Sequence, residues 1–217
     1  MMRSILNPKL KIGTKRTQPP HTLPFVILSF RTVVASLLYF HVIIVNADMK
    51  SKDNANEALL AACMSPRGVD DPENVRAALE QNADINTQDP KSGQTCLMAA
   101  SLRGKINVVK YLFKMGADPN IGEQMSYTPQ HGAGFQGRAE VMKFLATQGV
   151  DVNHFHEDGF APIHRACWGD ELIHAEAFKA LVELGVNPEL QSKDGKRCRD
   201  MTSNEEILKI LGEEKDL

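Results

Sequence analysis

The sequence lacks the marks of several protein classes. No Cys-x-x-Cys pair and no Gly-x-Ser-x-Gly motif occurs in its 217 residues, so neither a zinc ribbon nor an α/β-hydrolase nucleophile has support. The chain from position 48 onward also lacks an excess of basic charge, because it holds 19 Lys and Arg against all 27 Asp and Glu, a net charge of −8. This acidic balance argues against a nucleic-acid partner.

The segment 1–47, in contrast, contains no acidic residue and six basic ones. An apolar run from Val33 to Val45 follows these basic residues and leads to Ala47, the three-part pattern of a secretory signal with cleavage after Ala47. The run is short for a membrane span. Three alternatives stay open: an uncleaved membrane anchor, an organelle transit sequence, and a cytoplasmic chain whose translation starts at Met49.

The stretch from Thr95 to Ala166 repeats itself at a fixed period without a gap. A fixed period of roughly 20 to 50 residues is typical of stacked supersecondary units. Within one period, Thr128-Pro129 predicts a helix start, and the segment 139–148 carries apolar side chains at helical spacing. The recurring positions are Thr95, Thr128 and Ala161; Leu97, Gln130 and Ile163; Ala100, Ala133 and Ala166; Gly104 and Gly137; Gly116 and Gly149; and Asn120 and Asn153.

These motifs resemble the signatures of ankyrin repeats. The helix-opening signature is matched by Thr128-Pro129-Gln130-His131-Gly132-Ala133 and Ala161-Pro162-Ile163-His164-Arg165-Ala166, and more loosely from Thr95 to Ala100. The closing signature is matched by Gly116-Ala117-Asp118-Pro119-Asn120 and Gly149-Val150-Asp151-Val152-Asn153. The resemblance covers about Asn54 to Gly212. It implies an all-α ankyrin-repeat solenoid of helix-turn-helix units joined by β-hairpin-like loops, in which His131 and His164 tie neighbouring units by hydrogen bonds.

The predicted organisation is a leader, a repeat domain and a short tail. The leader covers 1–47, the repeat domain 48–212 and the tail 213–217. The units span about 54–86, 87–120, 121–153 and 154–189, followed by a partial C-terminal cap at 190–212.

Three units depart from the regular pattern. The first has predicted helices at Glu57–Cys63 and Pro72–Gln81 around an expanded turn at 65–68. The fourth carries three extra residues near 170–175, predicted in the turn between its helices. The cap is predicted to end in a helix from Asn204 to Leu211 that Ser203 or Asn204 caps.

The cysteines are predicted to be unpaired. Cys63 and Cys167 share one repeat position, and Cys96 and Cys198 share another, and the members of each pair are three units apart. Helices packed about 8–10 Å apart place such partners roughly 25–30 Å from each other, whereas a disulfide needs Cα atoms within about 7 Å. We therefore expect small core residues, although four free thiols are unusual in a secreted protein.

Metal binding and catalysis are the less favoured functions. His154, His156, His164 and Cys167 lie close together in the sequence and His174 lies in the predicted inserted turn, but their spacing matches no closed ligand set. Gly132-x-Gly134-x-x-Gly137 spells a dinucleotide fingerprint, yet no predicted strand precedes it. No catalytic residue, cofactor or metal is predicted, and hydrolysis has no motif to carry it.

Two ladders of large side chains point instead to protein binding. Both follow the repeat period, and in ankyrin stacks such positions line a groove between the loop tips and the inner helices. Aromatic anchors on a concave face suit a protein partner, although rings at this spacing also pack between units. The predicted partner-binding residues are Gln94, Leu102, Arg103, Tyr127, Phe135, Gln136, Phe160 and Trp168.

The sequence therefore predicts a non-catalytic protein-protein interaction module in the secretory pathway or secreted from the cell. Its unidentified protein partner would contact the concave groove and the loop tips. The alternative is a membrane-tethered structural scaffold, with membrane contact only through an uncleaved leader.

Overall fold

The chain folds into helices joined by short loops. A computed structural model describes residues 30–65 and 69–213. The leader before residue 30, the part of the predicted turn at 66–68 and the tail at 214–217 lie outside the described residues. The described helices are α1 (Phe30–Met64), α2 (Glu73–Glu80), α3 (Cys96–Arg103), α4 (Ile106–Lys114), α5 (Pro129–Phe135), α6 (Ala139–Thr147), α7 (Pro162–Ala166), α8 (Leu172–Glu183), α9 (Cys198–Met201) and α10 (Glu205–Glu213).

The long helix α1 contains the predicted cleavage position. The chain divides into two compact parts, Met1–Ile44 and Val45–Leu217. The described residues of the first part form the start of α1. Ala47 lies inside α1, and the predicted first inner helix at Glu57–Cys63 is the end of the same helix. None of the helices in 30–65 and 69–213 is long and apolar enough to cross a membrane.

The repeat units stack in two layers of helices. In the inner layer α3 contacts α5 and α5 contacts α7, and in the outer layer α4 contacts α6, α6 contacts α8 and α8 contacts α10. The small side chains of Ala100, Ala133 and Ala166 are fully buried and allow the inner helices to approach closely. In α4, Val108, Val109 and Leu112 form one buried stripe. The predicted all-α ankyrin solenoid is confirmed.

The loops between units form narrow turns that stack on one another. Their ends are joined by backbone hydrogen bonds such as Asp89 N–H to Gln94 O (2.9 Å) and Glu123 N–H to Tyr127 O (3.0 Å). One isolated antiparallel bridge, Gln88 with Thr95, is the nearest approach to a strand pair in the described part of the chain. Neighbouring tips also bond, since Gln124 N–H donates to Ser92 O at 3.2 Å. The loops are therefore hairpin-like without forming a sheet.

Helix starts in the repeats are capped in different ways. Thr95 Oγ1 accepts a hydrogen bond from Met98 N–H (3.2 Å), as expected of a capping threonine. Thr128 makes no such cap, because its hydroxyl bonds the ring of His131 instead. Asn204 caps α10, since its Oδ1 accepts from the backbone N–H of Glu206 (3.1 Å).

The extra residues of the fourth unit lengthen its outer helix. α8 begins at Leu172 and has 12 residues, whereas α4 and α6 have nine each. The prediction of an enlarged turn at 170–175 is right only in part: the turn 167–171 is longer than the equivalent turn 136–138, but residues 172–175 lie in α8. His174 consequently lies within α8 and not in a turn.

The prediction of four unpaired cysteines was also wrong. Cys63 bonds Cys96, and Cys167 bonds Cys198, with Cα–Cα distances of 5.3 and 5.6 Å. The prediction considered only cysteines at the same repeat position, which lie three units apart. The bonded cysteines occupy different repeat positions in adjacent units. The end of one inner helix meets the start of the next, and this contact brings each pair within disulfide reach.

Candidate functional site

A groove of about 330 Å³ crosses the second, third and fourth units. It brings together five of the eight predicted partner-binding residues, one or two from each unit. Aromatic and thioether side chains supply most of its walls. The lining residues are Gln94, Met98, Leu102, Glu123, Met125, Tyr127, His131, Gly132, Phe135, Arg165 and Trp168.

Two aromatic side chains stand half exposed at this groove. Phe135 is 49% and Trp168 40% exposed, and their rings meet edge to face at a centroid distance of 6.4 Å. Phe160 does not line the groove, but its ring packs against that of Trp168 at 5.2 Å. Rings held by neighbours and open to solvent are typical of partner-binding anchors.

Two predicted residues lie apart from the groove. Arg103 does not line it, and its Nη1 donates to Ala99 O in its own helix at 3.1 Å. Gln136 lines a second cavity of about 270 Å³, which shares Phe135 and Trp168 with the groove. The two aromatic residues therefore line both cavities.

The sequence reasoning missed Arg165, which lines the groove. Its side chain is only 5% exposed, and its guanidinium carbon lies over the rings of Trp168 (4.3 Å), Tyr127 (4.7 Å) and Phe160 (5.4 Å). A cation over the face of an aromatic ring is attracted by the ring's quadrupole. Arg165 thus fixes the orientation of three predicted residues.

A carboxylate compensates the buried charge of Arg165. Asp158 pairs with Arg165 Nη2 and accepts hydrogen bonds from Tyr127 Oη (2.8 Å) and the Phe160 backbone N–H (3.1 Å). Burial raises the pKa of Asp158, but the bonds from Arg165 and Tyr127 outweigh it and leave this pKa well below its usual range. Burial, and then the bond to Asp158, raise the pKa of Tyr127. The carboxylate is therefore ionised and the phenol neutral at pH 7.

A sequence signal for Arg165 existed. Ala99, Gly132 and Arg165 occupy the same position in successive units, so two units carry a small residue where the fourth carries an arginine. At Gly132 an added Cβ would meet Met98 and Leu102 side chains at 3.0 Å. The small residue thus leaves space for the groove, and the arginine in the next unit contributes to its wall.

The predicted tie between units by His131 and His164 is confirmed. Nε2–H of His131 donates to His154 O, and Nε2–H of His164 donates to Leu190 O, each at 3.0 Å. Burial lowers the pKa of His131 to about 4 and also lowers that of His164. Both rings are therefore neutral at pH 7, with Nδ1 left to accept a hydrogen bond.

The histidine-rich segment forms no metal centre in the described residues. His156 Nε2–H donates to Met125 O (2.6 Å), and its ring stacks on Tyr127 at 3.8 Å. Cys167 belongs to a disulfide. Across 30–65 and 69–213, no three His, Cys, Asp or Glu side chains are grouped as metal ligands.

The glycine motif that spells a dinucleotide fingerprint is part of the repeat. Gly132 and Gly134 lie inside α5, and the described residues place no strand before this helix. Gly137 follows α5 with φ of 67°, a conformation that glycine adopts at no steric cost. These glycines serve helix packing and termination.

Comparisons with known proteins agree with this architecture. A family model described as Ankyrin repeats (3 copies) matches residues 30–123. Ankyrin repeat and SAM domain-containing protein 6 of Rattus norvegicus is 35% identical over 88 residues, 41% of this chain and 9% of that protein. Ankyrin repeat and KH domain-containing protein of Caenorhabditis briggsae is 37% identical over 68 residues, 31% of this chain and 2% of that protein.

A human relative, Mitochondrial disaggregase, is 33% identical over 84 residues, 39% of this chain and 11% of that protein. The chain thus spans between 2 and 11% of the length of these relatives. The family match ends at residue 123, and the paired helices continue beyond it to residue 213. The two-layer stacking, the hairpin-like tips and both signatures, together with these matches, support an ankyrin-repeat protein.

Proposed function

We propose that this chain is a non-catalytic module that binds a protein partner through the groove. Ankyrin repeats are generally protein-protein interaction modules and typically non-catalytic. The observation that carries the proposal is the pair of half-exposed rings, Phe135 and Trp168, fixed by Phe160 and Arg165. Large rings held in place gain contact area on binding with little loss of conformational entropy.

A site-specific crosslink tests this proposal. The full chain carries a photo-reactive benzoylphenylalanine in place of Phe135 or, as a matched control, in place of Leu172. Leu172 is 63% exposed and lines neither cavity. We expect a discrete crosslinked protein at position 135 that is absent at position 172 and is lost when Trp168→Ser is added. Equal products at both positions, or none at either, would contradict the groove as the binding face.

We also propose that the chain enters the secretory pathway and is cleaved after Ala47. Two disulfides support this, because such bonds persist in oxidising compartments and are rare in the cytosol. The basic residues and apolar run of the leader support it as well. The prediction of four free thiols, which argued against secretion, was wrong because all four cysteines are paired.

The N-terminus of the protein purified from its native cell tests this route. Intact mass and terminal peptide sequencing would give a chain that starts at Asp48 if the signal is cleaved. A chain that retains residues 1–47 would favour the membrane-tethered scaffold. A start at Met49 would place the protein in the cytoplasm and contradict the proposal.

A further inference from the structure

We infer that the groove receives a basic segment of a protein partner, which inserts one large apolar side chain and brings a backbone carbonyl to Arg165 Nε. This inference rests on the proposed function and specifies the chemistry of the partner. Three features of the groove carry it: its apolar walls, its surplus of negative charge and one buried donor without an acceptor.

The walls of the groove fit an apolar side chain. Met98, Leu102, Phe135 and Trp168 are among the residues that line a space of about 330 Å³, within the usual size of a ligand pocket. Few polar groups line this space, so an inserted aliphatic or aromatic side chain replaces solvent there favourably. Met98 and Met125 are flexible and adapt to the shape of the inserted group.

The charge of the groove favours a basic segment over an acidic one. Asp158 neutralises Arg165, which leaves the Glu123 carboxylate as the remaining charge among the lining residues. The chain from position 48 onward carries a net charge of −8. Lysine or arginine next to the apolar anchor is therefore attracted, and an acidic segment is repelled.

The buried Arg165 Nε–H without a partner fits an uncharged hydrogen-bond acceptor. Arg165 Nε is buried and has no hydrogen-bond partner in the structure, while Nη2 of the same group is engaged by Asp158 and Tyr127. A buried N–H without an acceptor is unfavourable. Because Asp158 already balances the guanidinium charge, a peptide carbonyl satisfies this donor without adding a second anion.

Selection from a displayed library of random short peptides tests the inference on the full chain. We expect the selected peptides to carry one Leu, Met, Phe or Trp flanked by Lys or Arg. Trp168 is the only tryptophan of the chain, so a selected peptide without tryptophan is expected to shift its fluorescence. Acidic peptides, or peptides without a large apolar residue, would overturn the inference.

Two variants examine the individual contacts. Arg165→Lys keeps the positive charge but removes Nε, and we expect about a tenfold loss of affinity for the selected peptide. The matched control is Arg197→Lys, because Arg197 forms an exposed ion pair with Asp200. Glu123→Gln is expected to weaken binding about threefold and to reduce its salt dependence. An unchanged affinity in both groove variants would overturn the inference.

The two proposals can fail separately. If the partner crosslinks at position 135 but the selected peptides are acidic, the groove remains the interface. Only the inference of a basic partner segment is then refuted. If the selected peptides bind Phe135→Ser and Trp168→Ser variants as well as the original chain, both proposals fall. Thermal unfolding of each variant establishes that a loss of binding reflects the contact rather than the fold.

Discussion

The ion pair between Arg165 and Asp158 should couple helix α7 energetically to the loop tip that carries Asp158. Removing one partner of a buried ion pair costs about 3–5 kcal/mol, because the other charge is left without compensation. The Asp158 side chain is 33% exposed, so water replaces part of the lost interaction. We expect Asp158→Ala to lower the free energy of unfolding by about 3 kcal/mol, which includes the hydrogen bonds from Tyr127 and Phe160.

The reverse change should cost less. In Arg165→Met, the remaining carboxylate keeps two donors and its contact with water, and methionine fills the space of the arginine stem. We expect a loss of about 2 kcal/mol. The double variant should then lose about 3 kcal/mol rather than about 5 kcal/mol, a coupling free energy of about 2 kcal/mol.

Urea unfolding of the original chain, the two single variants and the double variant measures this coupling. Circular dichroism and Trp168 fluorescence should give coincident transitions, which justifies the use of one unfolding free energy. Effects that add within about 0.5 kcal/mol would refute the reasoning, because independent sites behave in that way.

Three further predictions concern stability. The pKa of His131 in the folded chain is about 4, below its usual 6.5, so the unfolded chain binds more protons between these pH values. The free energy of unfolding should therefore fall by about 3 kcal/mol from pH 7 to pH 4 in urea titrations. The fall should be smaller in His131→Gln. Gly134→Ala places a Cβ 2.6 Å from Pro162 O and should destabilise the chain by about 1–3 kcal/mol in thermal unfolding. In the control Gly212→Ala the added Cβ meets nothing within 4 Å, so this variant should be as stable as the original chain or more stable. Reduction with dithiothreitol should cost about 3–4 kcal/mol for each bridge, given sequence separations of 33 and 31; an unchanged melting temperature would contradict bonded cysteines.

The fold could be predicted because its evidence is local and repeated. A glycine that closes one unit, such as Gly116, recurs as Gly149 with the same left-handed backbone, φ of 90° and 84°. Each repetition of such a position adds independent support for the same unit. The extra turn of α8 was misplaced because a sequence insertion shows how many residues are added, but not whether they extend a helix or a loop.

The site could be predicted only in part. The aromatic ladders located Tyr127, Phe135 and Trp168 because the repeat period alone aligns them on one face. Arg165 was missed because a buried cation is recognised by its partners, and these come from a loop tip and a neighbouring unit. The cysteine pairs were missed for a related reason, since contacts between adjacent units join positions that differ within the period.

The placement of the two disulfides has a mechanical consequence. One joins the first two units, and the other joins the fourth unit to the cap. The equivalent contact between the third and fourth units is made by Gly134 and Pro162, which no covalent bond links. The array therefore consists of two cross-linked blocks with a third unit between them that no disulfide holds, and the groove crosses that unit. We therefore expect bending of the array to be concentrated at this unit, where a small change in curvature would widen or narrow the opening between Tyr127 and Trp168.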